Sequence, residues 1–241
     1  MCPFLNLSVI KNKQITKDAK GNARKCNILL YKQILKAYRH KLHYTEAMIK
    51  QLKAQNRKIR LEKAELELNY FLDKNKSPIQ VGILYRQFLQ YQYEINGWSV
   101  KNKTNTYGIY LICQKENNIH LVHCRNWAQS KRIDNDIISQ FSKAVTQYKS
   151  KNSVNSSNMQ GVFYTTTLFT NNARLLANNS EIKIYEQYKM PKKFPIIKAI
   201  SVLKRYYLPT DKDYDNISIN ISKGDRYFEK VITAENAGFH R

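Results

Sequence analysis

The sequence predicts an α/β protein with a central mixed sheet flanked by helices, preceded by a long basic helical extension and followed by a small carboxy-terminal module. Three observations carry this expectation. From Asn27 to about Asp73 there is no Gly or Pro, and Leu30, Ile34, Tyr38, Leu42, Thr45, Met48, Ile49, Leu52, Ile59, Leu66 and Leu68 recur at roughly helical spacing. Beyond Ser77-Pro78, short apolar runs of strand type alternate with helical patterns, the order of an α/β domain. Charge also changes along the chain: residues 1–77 hold 18 Lys+Arg against 6 Asp+Glu, a net +12 of the total +23. The resulting division is 1–77, 78–205 and 206–241.

The first block reads as one long helix, or as two helices in an antiparallel hairpin broken near Gln55-Asn56. Ser77-Pro78 is an N-cap followed by a first-turn proline, opening a helix that ends at Gly97 with Val81, Leu84, Tyr85, Phe88, Leu89 and Tyr93 on its inner face. A strand follows at Trp98 to Lys101, then a polar loop. Two apolar strands, 107–115 and 119–126, are joined by an Asn117-Asn118 turn. Asp134 caps a helix to about Tyr148 that presents Ile137, Ile138, Phe141, Ala144 and Val145. Residues 149–158 read as a surface loop, 161–166 as a buried strand, Thr170 as the cap of a short helix to Ala177, and 182–185 as a further strand.

Two strand motifs are the most informative stretch: Tyr107-Gly-Ile-Tyr-Leu-Ile-Cys-Gln-Lys and Ile119-His-Leu-Val-His-Cys-Arg-Asn-Trp127. They resemble the restriction-endonuclease-like or PD-(D/E)XK family, Mrr-type branch, whose strands read like G-I-D-L-I and Q-C-K-N-W. Gly108, Ile109, Leu111, Ile112, Cys124, Asn126 and Trp127 keep the pattern. Tyr110 stands in place of the Asp, His123 in place of the Gln or Glu, and Arg125 in place of the Lys. Tyr85, Tyr93-Glu94 and Gly97-Trp98 resemble the family's preceding helix, in which an acidic position falls on Arg86. The segments Tyr207-Leu-Pro-Thr-Asp-Lys-Asp-Tyr-Asp, Gly224-Asp-Arg-Tyr-Phe and Thr233-Ala-Glu-Asn-Ala-Gly-Phe-His-Arg241 resemble a small module that follows some nucleases of this branch.

What the resemblance implies for chemistry is set by the replaced groups. Nucleases of this type hold a hard cation such as Mg2+ through carboxylate or amide oxygens, and the cation activates water and neutralises the scissile phosphate. A phenol of reference pKa about 10 is a poor anionic ligand, and imidazole suits softer metals. Arginine stays protonated and cannot act as a base, yet its fork fits phosphate. The expectation is therefore no catalytic residues, no metal and no cofactor, with Mg2+ retained only if a displaced carboxylate, Glu94, Glu116, Asp134 or Asp136, rescues the site.

A net charge of +23 makes nucleic acid the leading partner. Candidate contacts in the α/β block are Arg86, Lys101, Lys103, His123, Arg125, Trp127, Lys131 and Arg132. Those on the basic helix are Lys50, Lys53, Arg57, Lys58 and Arg60, where acids do not alternate with bases until Glu62, so that i,i+4 pairing is not their purpose. A solvated helix face, packing roles for Tyr110, His123 and Trp127, and drift in an AT-rich genome are the bland alternatives. Cys2, Cys26, Cys113 and Cys124 lack zinc-site spacing, no run approaches the roughly 20 apolar residues of a membrane span, and no secretory leader is legible. The sequence thus reads as soluble and intracellular, in cytoplasm or an organelle matrix. Three functions compete: a non-catalytic nucleic-acid-binding protein, for instance a structural subunit of a ribonucleoprotein such as a ribosome; an active Mrr-type DNA endonuclease with relocated ligands; and a protein–protein adaptor.

Overall fold

The computed structural model describes residues 19–73, 77–106, 108–152 and 158–241. By contacts the chain divides into residues 1–59 and 60–241. Helix α1 (Ala19–Leu72) is continuous, so the hairpin broken near Gln55-Asn56 does not form; neither residue removes a backbone donor or requires a left-handed backbone. The last turns of α1 group with the second unit because Ala64 and Leu68 are buried among Leu84, Leu89, Ile197 and Tyr206. Met1 to Asp18, which include Cys2, lie outside the described residues.

Helix α2 (Pro78–Ile95) begins at a capping box. The Ser77 hydroxyl accepts from Gln80 N at 3.3 Å, and the Gln80 side chain accepts from Ser77 N at 2.9 Å, so two orphan donors of the first turn are satisfied reciprocally. The helix stops at Asn96-Gly97, where Gly97 takes φ 81°. The main sheet has five strands: β1 (Ser99–Thr106), β2 (Ile109–Lys115), β3 (Asn118–Arg125), β4 (Met159–Thr165) and β5 (Ile182–Tyr185). They lie in sequence order, with β1, β2 and β3 antiparallel and β3, β4 and β5 parallel. Helix α3 (Asn135–Lys151) and helix α4 (Asn171–Asn179) make the two parallel crossovers, capped by Asp134 and Thr170.

Several boundaries differ from the sequence reading. Strand β1 extends through the stretch read as a polar loop, because it pairs with β2 beyond Lys101 despite a register shift between Asn102 and Thr106. The β2–β3 turn is Glu116-Asn117 rather than Asn117-Asn118: Asn118 already pairs with Lys115, and Glu116 takes φ 53°. Helix α3 runs to Lys151; of the loop expected after it, residues 153–157 lie outside the described residues.

Alternation along the strands separates two cores. Leu121 and Phe163 face α3 and α4 with Ile138, Phe141, Ala173 and Ala177. Val122 and Val162 face the opposite core, which contains Tyr85, Phe88 and Leu89 of α2 and residues from the chain's end. That end forms a second sheet of β6 (Ile197–Ile200), β7 (Arg205–Tyr207) and β8 (Arg226–Phe228), in the order β7-β6-β8, followed by α5 (Val231–Asn236). It spans position 205/206, where the sequence placed a boundary.

A buried polar network joins α2 to this second sheet. Glu94 is 0% exposed and Lys198 is 1% exposed. The Tyr227 hydroxyl and Gln90 Nε2 donate to the Glu94 carboxylate, while Lys198 Nζ donates to the carbonyls of Tyr214 and Ile217 at 3.0 and 2.6 Å. Burial pushes the Glu94 carboxyl up, and the Lys198 charge opposes it. Burial pushes the Lys198 ammonium down to about 8, against the pull of Glu94 and Asp215. Glu94→Ala leaves the Tyr227 hydroxyl and Gln90 without their buried acceptor and weakens the counter-charge to Lys198, and is expected to lower the unfolding free energy by about 3–5 kcal/mol in urea denaturation. Glu94→Gln keeps part of the hydrogen bonding and is expected to cost less.

Candidate nucleic-acid interface

The site is built where α2 passes the ends of β2 and β3. Pro78, Ile79, Gly82 and Ile83 form one wall of an open cavity of about 410 Å³, and Arg86, Tyr110, Cys124, Arg125, Asn126 and Trp127 complete it. A second cavity of about 380 Å³ lies on the α3 side and shares Tyr110 and Arg125 with the first. Arg86, Tyr110 and Arg125 thus line the first cavity, and His123 lines the second with Tyr110 and Arg125.

His123 is 3% exposed. Its ring sits among Phe163, Tyr110 and Phe141, with centroid distances of 4.5, 4.7 and 5.3 Å. Arg125 Nε donates to His123 Nε2 at 3.1 Å, and His123 Nδ1 contacts the Gly108 carbonyl. Only one neutral form satisfies both contacts: the proton resides on Nδ1 and Nε2 accepts. Burial, reinforced by the Arg125 charge, pushes the imidazole down to about 3, against the Gly108 carbonyl. Gly108 makes this approach with φ 89°, a backbone that side chains rarely adopt. His123 is therefore a positioning group for the Arg125 guanidinium.

Arg125 also lies over Trp127, its guanidinium carbon 5.6 Å from the ring centroid, and Lys131 Nζ approaches the same ring at 5.8 Å. The loop that carries Trp127 is fixed from the β4 side: Trp127 N donates to the Thr166 hydroxyl at 2.9 Å, and that hydroxyl donates back to Trp127 O at 2.8 Å. Cations held over an indole face at the rim of an open cavity suit contact with a phosphate or a planar base.

Arg86 is not free for such contact. Its side chain is 12% exposed and donates through Nη2 to Asp215 Oδ2 at 2.6 Å, and Gln87 donates to the other Asp215 oxygen at 3.3 Å. The buried Arg86 Nε finds no acceptor among the described residues. The sequence did not single out Asp215 as a site residue, although Tyr214-Asp215 closes the first tail motif. Lys101 and Lys103 are exposed on β1 and line neither cavity with Arg125; Lys103 borders a separate depression with Tyr148 and Lys151. Arg132 is exposed and also lies outside both cavities. Lys50, Lys53, Arg57, Lys58 and Arg60 are exposed on α1.

The donor set does not fit a hard cation. Tyr110 offers a phenol, His123 has both nitrogens engaged, and Arg86 and Arg125 are cations. The four carboxylates that the sequence offered as replacements are elsewhere: Glu94 in the interior, Glu116 at the opposite end of the β2–β3 hairpin, Asp134 as the α3 cap accepting from Ile137 N at 3.2 Å, and Asp136 exposed in the first turn of α3; Asp215 is paired with Arg86. Among the described residues no group of three His, Cys, Asp or Glu is placed to hold a metal. Cys113 and Cys124 are free and buried, as their apolar strands imply, and burial pushes the Cys124 thiol up to about 12.

Sheet order, crossover helices and the position of the cavity define a restriction-endonuclease-like α/β domain. Residues 84–191 match the family model described as restriction endonuclease. No curated protein matches the chain. Among solved structures the chain is similar to a protein described as of unknown function, at 14% identity over 53% of this chain and 73% of that one with a TM-score of 0.37. It is also similar to EndoMS in apo form, at 13% identity over 49% of each chain with a TM-score of 0.35. A repair endonuclease from Pyrococcus abyssi is 16% identical over 47% of this chain and 48% of its own, with a TM-score of 0.34. The chain spans about half the length of these two endonucleases. No helix among the described residues is long and apolar enough to cross a membrane.

The depressed His123 pKa links stability to pH with a definite sign. As pH falls from about 6.5 towards 3, the unfolded imidazole binds a proton that the folded one does not. The contribution is fully present above pH 6.5 and is lost through that window at up to about 1.4 kcal/mol per pH unit. His123→Gln is expected to show a smaller loss than the parent between pH 6.5 and 4.5 in paired urea denaturation curves.

Proposed function

We propose that this protein is a non-catalytic nucleic-acid-binding protein on a degenerate nuclease scaffold, acting as a structural component of a ribonucleoprotein such as a ribosome. The observation that carries this reading is the arrangement at the former active site. Where the family pattern has an oxygen-rich anionic pocket with a lysine, this chain has Arg125 oriented by a neutral, buried His123 beside a phenol. Coulombic attraction for metal is replaced by attraction for phosphate. The net charge of +23 supports the same partner, since cations matched to a polyanion gain by counterion release.

In this reading Arg125 and Lys131 contact the backbone of the nucleic acid at the Trp127 rim. The basic face of α1, with Lys50, Lys53, Arg57, Lys58 and Arg60, adds contacts that carry no sequence information. Arg86 acts through Asp215 as a structural pair. No hydrolytic step is assigned to the site, because Mg2+ would meet two guanidinium groups and no carboxylate in the cavity.

The affinity of the purified full chain for RNA or DNA is expected to fall steeply with salt, with a log–log slope of about 0.7 to 0.9 per phosphate contacted. Arg125→Ala is expected to weaken binding by about 1–3 kcal/mol without lowering stability comparably, whereas Arg86→Ala shows mainly as lost stability. A flat salt titration defeats the proposal. Mg2+-dependent cleavage by the wild type replaces it with an active Mrr-type endonuclease.

A further inference from the structure

Helix α1 carries an apolar seam that stands in water. Tyr31, Tyr38, Leu42, Ile49, Leu52 and Ile59 are each more than half exposed, far more contiguous apolar surface than a helix face in solvent needs. Their spacing is a heptad. Leu35, Leu42, Ile49 and Asn56 recur every seven residues, and Tyr31, Tyr38, Thr45, Leu52 and Ile59 recur every seven residues four positions before each of those a positions or three after. In coiled-coil terms the first set is a and the second is d. A strict seven-residue repeat over about four heptads specifies a left-handed supercoiled seam.

We propose that this seam pairs with the same seam of a second copy of the chain, in a parallel, in-register coiled coil. The flanking charges select this occupant. Residues 29–59 hold eight Lys+Arg and a single acid, Glu46, whose contact within the helix is a solvent-exposed approach to His43 at 3.6 Å. In a parallel pair each g residue meets the e residue five positions on in the partner, so Lys41 meets the partner's Glu46. The remaining g–e contacts, Ile34 with Arg39, Met48 with Lys53 and Gln55 with Arg60, contain no like-charge pair. An antiparallel pair centred on Glu46 sets Arg39 against Lys53 and Lys32 against Arg60. Asn56, the one polar a residue, meets its own copy only when the helices are parallel and in register, and a buried a-position Asn fixes that register. A uniformly acidic partner helix satisfies the basic flanks but sets a carboxylate against Glu46, and nucleic acid leaves the seam uncovered.

The test uses the nucleic-acid-free full chain in sedimentation velocity, a readout independent of whether the protein binds nucleic acid. A dimer is expected at about 10 µM, and Leu42→Lys with Ile49→Lys is expected to raise its dissociation constant at least roughly 100-fold. Glu46→Lys is expected to weaken the dimer, and Lys41→Glu added to it restores the dimer by exchanging the charges. Leu42→Cys, set beside the parent chain, is expected to form an intersubunit disulfide under mild oxidation, since facing a positions in register lie within the Cα separation that a disulfide spans. An unchanged melting transition of the α/β domain shows that the exposed-face variants remain folded. The proposal is overturned by a wild-type monomer at that concentration, by a dimer indifferent to the double lysine variant, or by a failed charge exchange. A double variant that loses nucleic-acid affinity with no change in mass assigns the seam to nucleic acid instead.

Discussion

A carboxylate out of reach of water, Glu94, holds helix α2 to the carboxy-terminal sheet, and the placement of the cavity follows from that attachment. Isolated, such a charge would be expelled or neutralised. Here Gln90, Tyr227 and the Lys198 ammonium surround it, and Lys198 in turn is bonded to two carbonyls of the segment around Tyr214. The same segment supplies Asp215 to Arg86. The first turns of α2 are the cavity's apolar wall, so the buried Glu94 network at one end of the helix fixes the element that carries a surface site at the other.

Around that cavity, core-facing strand positions and strand-end positions carry different chemistry. Strand positions that face the core are those on which the fold depends, and Leu111, Cys113, Val122 and Cys124 are buried. Positions near the strand ends, Tyr110 of β2 and Arg125 of β3, line the cavity instead. His123 shows the difference: it packs as an aromatic among Phe141 and Phe163, yet its remaining lone pair aims a guanidinium. One side chain thereby serves both the core and the site.

Much of this was legible in the sequence because it depends on local chemistry. The Ser77, Asp134 and Thr170 caps, the strand pairs and the crossover helices follow from side chains acting on nearby backbone or from period-two burial. The assembly of Tyr110, His123 and Arg125 follows from their strand motifs. The Arg86–Asp215 pair was not legible, since its members are 129 residues apart and nothing local joins them. The second sheet escaped because β7 and β8 are three residues each, too short for periodicity. The docking of Ala64 and Leu68 was hidden inside a helix whose pattern continues unchanged on either side of them.

Strand β1 is a terminal strand of the main sheet, and its outer side is covered only in part, where Ser218 accepts from Val100 N. Exposed backbone of this kind templates pairing with a further chain, and natural sheets guard against it with lysine. Lys101 and Lys103, exposed on this strand, fill that role whether or not they meet phosphate. Their neutral replacement therefore removes a barrier to edge-to-edge growth, and turbidity or high-mass species in such a variant reflect loss of solubility rather than a weakened ligand contact. Exchange for arginine retains the guard and isolates the contribution of the ammonium groups themselves.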